Sequence, residues 1–187
     1  HYDENMSKVF FDQLKMKKPD YNLNIGSGSH GFQTGKIMIK IEKIFIERDP
    51  DLVIVFGDVN STIAAAMAAT KLKIKVAHVE AGLRSFDRSM PEELNRVLTD
   101  QISDLLFITS KDAEANLLKE GKNKNQIKFV GNTMIDSLIK FESYFNADNI
   151  LNRSNLKKNN YILVTIHRPS NVDNIKKFKE FVNSINK

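Results

Sequence analysis

Two apolar runs and the stretch between them constrain this chain most. Asp-Leu-Val-Ile-Val-Phe (51–56) and Lys-Val-Ala-His-Val (75–79) are short and rich in β-branched residues, the mark of buried parallel strands. Between them, residues 61–72 are alanine-rich and strongly helix-forming. A strand–helix–strand unit has a fixed hand of crossover, so both strand ends open on the same edge of a parallel sheet. In open α/β sheets, ligands bind at that edge. The first run stops at Gly57-Asp58 and the second at Glu80, so two carboxylates are delivered there.

The alternation continues in both directions. Residues 2–16 carry Met6, Val9, Phe10 and Leu14 at helical spacing, and Pro19-Asp20 ends that helix. Residues 22–35 hold four glycines among serines and predict a mobile loop, either a linker or a lid that touches ligand. An amphipathic helix is expected over 36–48, with Asn60 or Ser61 capping the next one. A loop over 80–90 leads to a helix opening at Pro91, where Glu92 and Glu93 complement the helix dipole. Further strands are expected over 104–109 and 127–130, with a helix capped by Ser110 and ended by Gly121 between them. Another helix runs through Ile135, Leu138, Ile139 and Phe145. The Asn- and Lys-rich stretch 146–160 reads as a linker, 161–166 as a fresh strand and 175–185 as a helix. The class is therefore α/β with a Rossmann-like parallel sheet: one domain over 1–145, a linker, and the start of a second domain over 161–187.

Charge and composition narrow the function. The chain of 187 residues has 28 basic and 23 acidic side chains, a net charge of +5. No aromatic-interleaved basic stripe accompanies that excess, which argues against a nucleic-acid partner; Lys, Asp and Glu over 111–128 read as a solvated face. Cysteine is absent, which removes disulfides and thiolate metal sites. No apolar run approaches the roughly 18 residues of a membrane span, and no signal peptide is visible. The expectation is a soluble, cytoplasmic protein. The chain begins at His1, with its first methionine at Met6, and stops inside a helical pattern, so both ends read as cuts.

Each candidate residue has a plain reading beside its chemical one. Asp58 can cap the helix that follows it or contact ligand. Glu80, straight after an apolar strand, can be a desolvated acid or base, or simply pair with Arg84. His78 lies inside its strand and reads as a hydrogen-bonded core histidine before a metal ligand. Glu92 and Arg96, four apart on one helix, form an ordinary surface ion pair on the plain reading, and Asn95 can face either way. His167 ends the 161–166 strand, where it is structural or turned toward the carboxylates. The 57–62 turn lacks the glycines and lysine of a phosphate loop.

Taken together, G-D-V-N-S-T (57–62), H-V-E-A-G-L-R (78–84), P-E-E-x-N-R (91–96), G-N-T-x-I-D (131–136) and T-x-H-R (165–168) resemble the non-hydrolysing UDP-N-acetylglucosamine 2-epimerases. The start H-Y-D-E-N-M is similar to that family's first αβ connection. The resemblance implies a glycosyltransferase-B-type architecture of two Rossmann-like domains, no metal or redox cofactor, a UDP-sugar partner, no membrane and a homodimer for the full-length parent. It implies interconversion of UDP-GlcNAc and UDP-ManNAc by proton removal at C2, loss of UDP to give 2-acetamidoglucal, and re-addition. Asp58, Glu80, Glu92 and His167 match its catalytic positions, and Asp58, Glu80, Arg96 and His167 are the substrate-binding candidates. The family's opening strand with its G-T-R-P-E loop has no counterpart here, nor does the S-G-G-x-x-E-E region of its second domain. The chain alone is therefore expected to be inactive and to bind UDP weakly or not at all.

Overall fold

The structure, a computed structural model, describes residues 8–147, 150–166 and 169–185. Met6, the H-Y-D-E-N-M start, His167 and Arg168 lie outside them. The chain divides into two compact units, His1–Ser137 and Leu138–Lys187.

The first unit is built on four parallel strands in the order β1-β2-β3-β4: Leu52–Phe56, Lys75–Ala81, Leu105–Ile108 and Ile127–Phe129. Helices precede and connect them: α1 (Lys8–Gln13), α2 (His30–Arg48), α3 (Asn60–Lys71), α4 (Pro91–Ile102) and α5 (Lys111–Lys119). Because sheet order follows chain order, every crossover steps the same way, and a common hand puts α3, α4 and α5 on one face. The alanines earn their place on that face. Ala65, Ala66, Ala68 and Ala69 of α3 are buried against Val53, Val55 and Val76, with Phe45 of α2 closing the cluster. A second cluster joins Leu106 and Ile108 of β3 to Ala113 and Leu117 of α5.

Several expectations change. The run 51–56 was expected to be buried on both faces, but only Val53 and Val55 are. Leu52, Ile54 and Phe56 are exposed, because β1 ends the sheet and helices cover one side of it. The loop expected over 22–35 stops at Ser29, whose extended backbone and hydroxyl cap α2 by accepting the Phe32 amide. That cap and the apolar stripe of α2 outweigh Gly31 and Gly35, each costing about 1 kcal/mol inside a helix. Neither Asn60 nor Ser61 caps α3. The cap position is Val59, and it makes no side-chain bond. Ser110 does precede α5, yet its hydroxyl is buried without a partner among the described residues.

Helix α6 (Thr133–Ala147) runs from the first unit into the second, which also holds α7 (Ile150–Arg153), α8 (Pro169–Val172) and α9 (Ile175–Ile185). The strand expected over 161–166 is absent. A lone extended run needs neighbours to form a ladder, and among the described residues none pairs with it, so Ile162 and Leu163 stand open to solvent.

Candidate active site

The site begins where β1 and β2 end side by side, Phe56 in register with Val79. Gly57 follows with φ of 63°, a left-handed turn that glycine takes without strain, and its N–H donates to the Val79 carbonyl at 3.1 Å. One residue along β2, the register with β3 slips between Val79 and Ala81. The residue at that bulge is Glu80, with φ of 71°. A non-glycine residue held in this region costs on the order of 1–3 kcal/mol, and such residues gather at functional sites. Glu80 thus belongs to the strand rather than to the loop after it. Its half-buried carboxylate lies over Gly57, Oε2 standing 3.5 Å from where a β-carbon on that glycine would be.

Asp58 is held from the side by α4. Its Oδ2 accepts from Arg96 Nε at 2.8 Å, and its backbone carbonyl accepts from Asn95 Nδ2 at 2.8 Å. Asn95 therefore faces the site. Arg96 also reaches Glu93 through Nη1, so the expected Glu92–Arg96 pair is replaced by a Glu93–Arg96–Asp58 bridge. Glu93 is the better partner because it is already fixed: it is only 3% exposed, and its two oxygens accept the amides of Ser85 and Phe86 at 2.9 and 3.0 Å. Burial pushes the Glu93 carboxyl up, but those amides, the Ser85 hydroxyl and the Arg96 charge more than offset this and hold it below its ordinary value. Glu92, half-buried on the same first turn, has no ion-pair or hydrogen-bond partner among the described residues.

The alternative pairing of Glu80 with Arg84 does not form. The chain turns at Gly82, where φ is 78°, and the Arg84 side chain beyond it is buried. Its guanidinium meets Asp100 at 2.7 Å and grips Glu120 with two hydrogen bonds, at 2.8 and 2.6 Å. Burial lowers the pKa of Arg84, but these two carboxylates raise it above its ordinary value. Glu80 is left with no hydrogen-bond or ion-pair partner among the described residues. His78 is a core histidine, fully buried, with Nδ1 2.7 Å from Asp100 Oδ1 and Nε2 donating to the Gly57 carbonyl at 2.8 Å. Both ring nitrogens are occupied, so it is no metal ligand.

The structure therefore pairs Asp58 with Arg96, sets the Glu80 carboxylate over the neighbouring Gly57 and puts Glu92 at the start of the helix that carries Arg96. Sequence reasoning missed Asp100, Glu120 and the pairing role of Glu93. In the segment over 22–26 only Leu23 and Ile25 are half-buried, and it walls a cavity of about 460 Å³ with Phe11, Ile37 and Ser61.

Comparison with known proteins gives the chain a family. A protein-family profile described as UDP-N-acetylglucosamine 2-epimerase matches residues 1–187. The chain belongs to that family. It is 52% identical over 189 residues to a UDP-N-acetylglucosamine 2-epimerase of Methanococcus maripaludis, covering 100% of this chain and 52% of the relative. It is 43% identical over 188 residues to a UDP-2,3-diacetamido-2,3-dideoxy-D-glucuronate 2-epimerase of Pseudomonas aeruginosa, covering 100% of this chain and 52% of that one. Among solved structures, the Methanocaldococcus jannaschii UDP-GlcNAc 2-epimerase in complex with UDP-GlcNAc and UDP superposes with a TM-score of 0.90. That match has 51% identity, over 99% of this chain and 51% of that one. The chain spans about half the length of the curated relatives it matches.

Proposed function

We propose that the full-length polypeptide containing this chain interconverts UDP-GlcNAc and UDP-ManNAc. A base takes the C2 proton while the C1–O bond to the diphosphate breaks, leaving 2-acetamidoglucal and UDP. UDP then adds back at C1 as C2 is protonated on the opposite face. Such a reaction needs a base, an acid and groups that steady the departing diphosphate. Asp58, Glu80 and Glu92 supply the acid–base groups, with His167 joining them on the motif resemblance. Arg96 orients Asp58 through their ion pair. The observation that carries this reading is the Glu80 carboxylate, unpartnered among the described residues and held in a strained backbone over Gly57. In the same reading the polypeptide has a second Rossmann-like domain starting at 161–187, works in the cytoplasm as a homodimer and supplies activated ManNAc for surface polysaccharide. The 187-residue chain alone is inactive.

The full-length polypeptide, given UDP-GlcNAc in deuterated water, should yield an NMR-visible mixture of both epimers with deuterium at C2. Epimerised product without deuterium refutes proton abstraction. Free ManNAc with UDP points instead to a hydrolysing relative, and bound sugar nucleotide without turnover to a mere nucleotide-sugar-binding domain. The Pseudomonas aeruginosa relative acts on a diacetamido glucuronate, so that UDP-sugar belongs in the same assay.

A further inference from the structure

One buried carboxylate underlies both turns of the site. Asp100 is 0% exposed and accepts from three donors: His78 Nδ1 at 2.7 Å, the Gly82 amide at 3.0 Å and Arg84 Nη2 at 2.7 Å. Through His78 it reaches Gly57, whose carbonyl accepts from Nε2 at 2.8 Å. Gly57 precedes Asp58 and lies beneath the Glu80 carboxylate, while Gly82 follows the bulge that carries Glu80. The chain therefore reaches the two site carboxylates by separate turns, and both are tied to Asp100.

We propose that Asp100 is the positioning residue of this site, setting the spacing of Asp58 and Glu80 through His78 on one side and Gly82 on the other. The partners also fix the form of the His78 ring. Gly57 offers only a carbonyl oxygen and Asp100 only carboxylate oxygens, so the ring bonds to both by donating from both nitrogens. The turn at Gly57 is then held by a ring N–H inside the core, 2.8 Å from the carbonyl oxygen. Glu120 binds Nε of Arg84 and the same Nη2 that meets Asp100, which fixes the guanidinium against that carboxylate.

Two measurements on this chain test the arrangement without any assay of activity. Nitrogen-15 NMR of the wild-type ring should find protons on both nitrogens of His78; a ring with one bare nitrogen overturns the proposal. In Asp100→Asn, the amide resonances of Gly57, Asp58 and Glu80 should move while those in the middle of α2 do not. A folded variant with the 57–58 and 80 amides unmoved also overturns it, and if the variant fails to fold, the wild-type ring measurement decides. A third arm rests on the proposed function. In the full-length polypeptide, Asp100→Asn should lower kcat about 100-fold with KM unchanged, as misplacement of reacting groups by an ångström does. Moved amides with kcat intact contradict a positioning role. A wild-type polypeptide that does not epimerise defeats the proposed function and leaves the two NMR results to judge Asp100.

Discussion

The Glu80 carboxylate rests on Gly57, with Oε2 3.5 Å from the place a β-carbon would take on that glycine. That is ordinary contact distance, so an alanine fits in space but not in backbone, since φ is 63°. Gly57→Ala should cost about 1–2 kcal/mol of stability, measured by urea denaturation. Gly57→Val adds branches where the carboxylate sits, and turnover by the full-length polypeptide should fall well below that of the alanine variant. Equal activity in the two would mean that Glu80 does not work from this position.

Gly82 is less forgiving. A β-carbon there would stand 2.6 Å from the Ala113 carbonyl oxygen and 2.9 Å from Leu117 Cδ1, at φ of 78°. The first neighbour is backbone and cannot swing away, so α5 must move off the sheet. Gly82→Ala should destabilise the chain by about 3 kcal/mol or more, through strain and overpacking together. A melting temperature like that of the wild type would refute the close approach of β2 to α5.

Glu93 gives a pH signature. Its carboxyl is held below its ordinary value in the folded chain, so the unfolded chain binds that proton more tightly. The stability this contributes is complete above the ordinary glutamate pKa of about 4.3 and is lost as pH falls through the lower folded value. Glu93→Gln should therefore be less stable than wild type at pH 7, with the gap closing in acid. Urea titrations at stepped pH check this, and a gap that stays constant down to acid pH contradicts it.

Arg96 binds Asp58 and Glu93 with different nitrogens of one planar fork. Lysine keeps the charge but lacks that fork. Arg96→Lys should leave the fold intact and lower the rate of epimerisation by at least about tenfold, through a loosened Asp58. Wild-type kcat in this variant would remove Asp58's orientation from the account.

The sheet was legible because its strands are apolar, β-branched and short, and the alanines of α3 announce close packing. The face of α4 was not. Glu93, Arg96 and Asp100 are spaced i, i+3, i+7, so they share one side of the helix, and that side is the buried one. Leu94 and Leu98 are exposed instead, at 39% and 50%. Hydrophobic periodicity looks for an apolar stripe facing inward, and here the stripe is inverted because a charged network occupies the interior. The same inversion hid the partners of Arg84, which lie 16 and 36 residues along the chain rather than in its own loop. The start of α2 was hidden by glycines that the Ser29 cap and the apolar stripe of the helix outweigh together.

Glu80→Gln tests the central claim most directly, because it keeps the shape of the side chain and removes its charge and proton affinity. In the full-length polypeptide the variant should still bind UDP-GlcNAc by calorimetry, while deuterium exchange at C2 and epimerisation fall at least about 100-fold. Exchange and epimerisation at the wild-type rate would contradict the account.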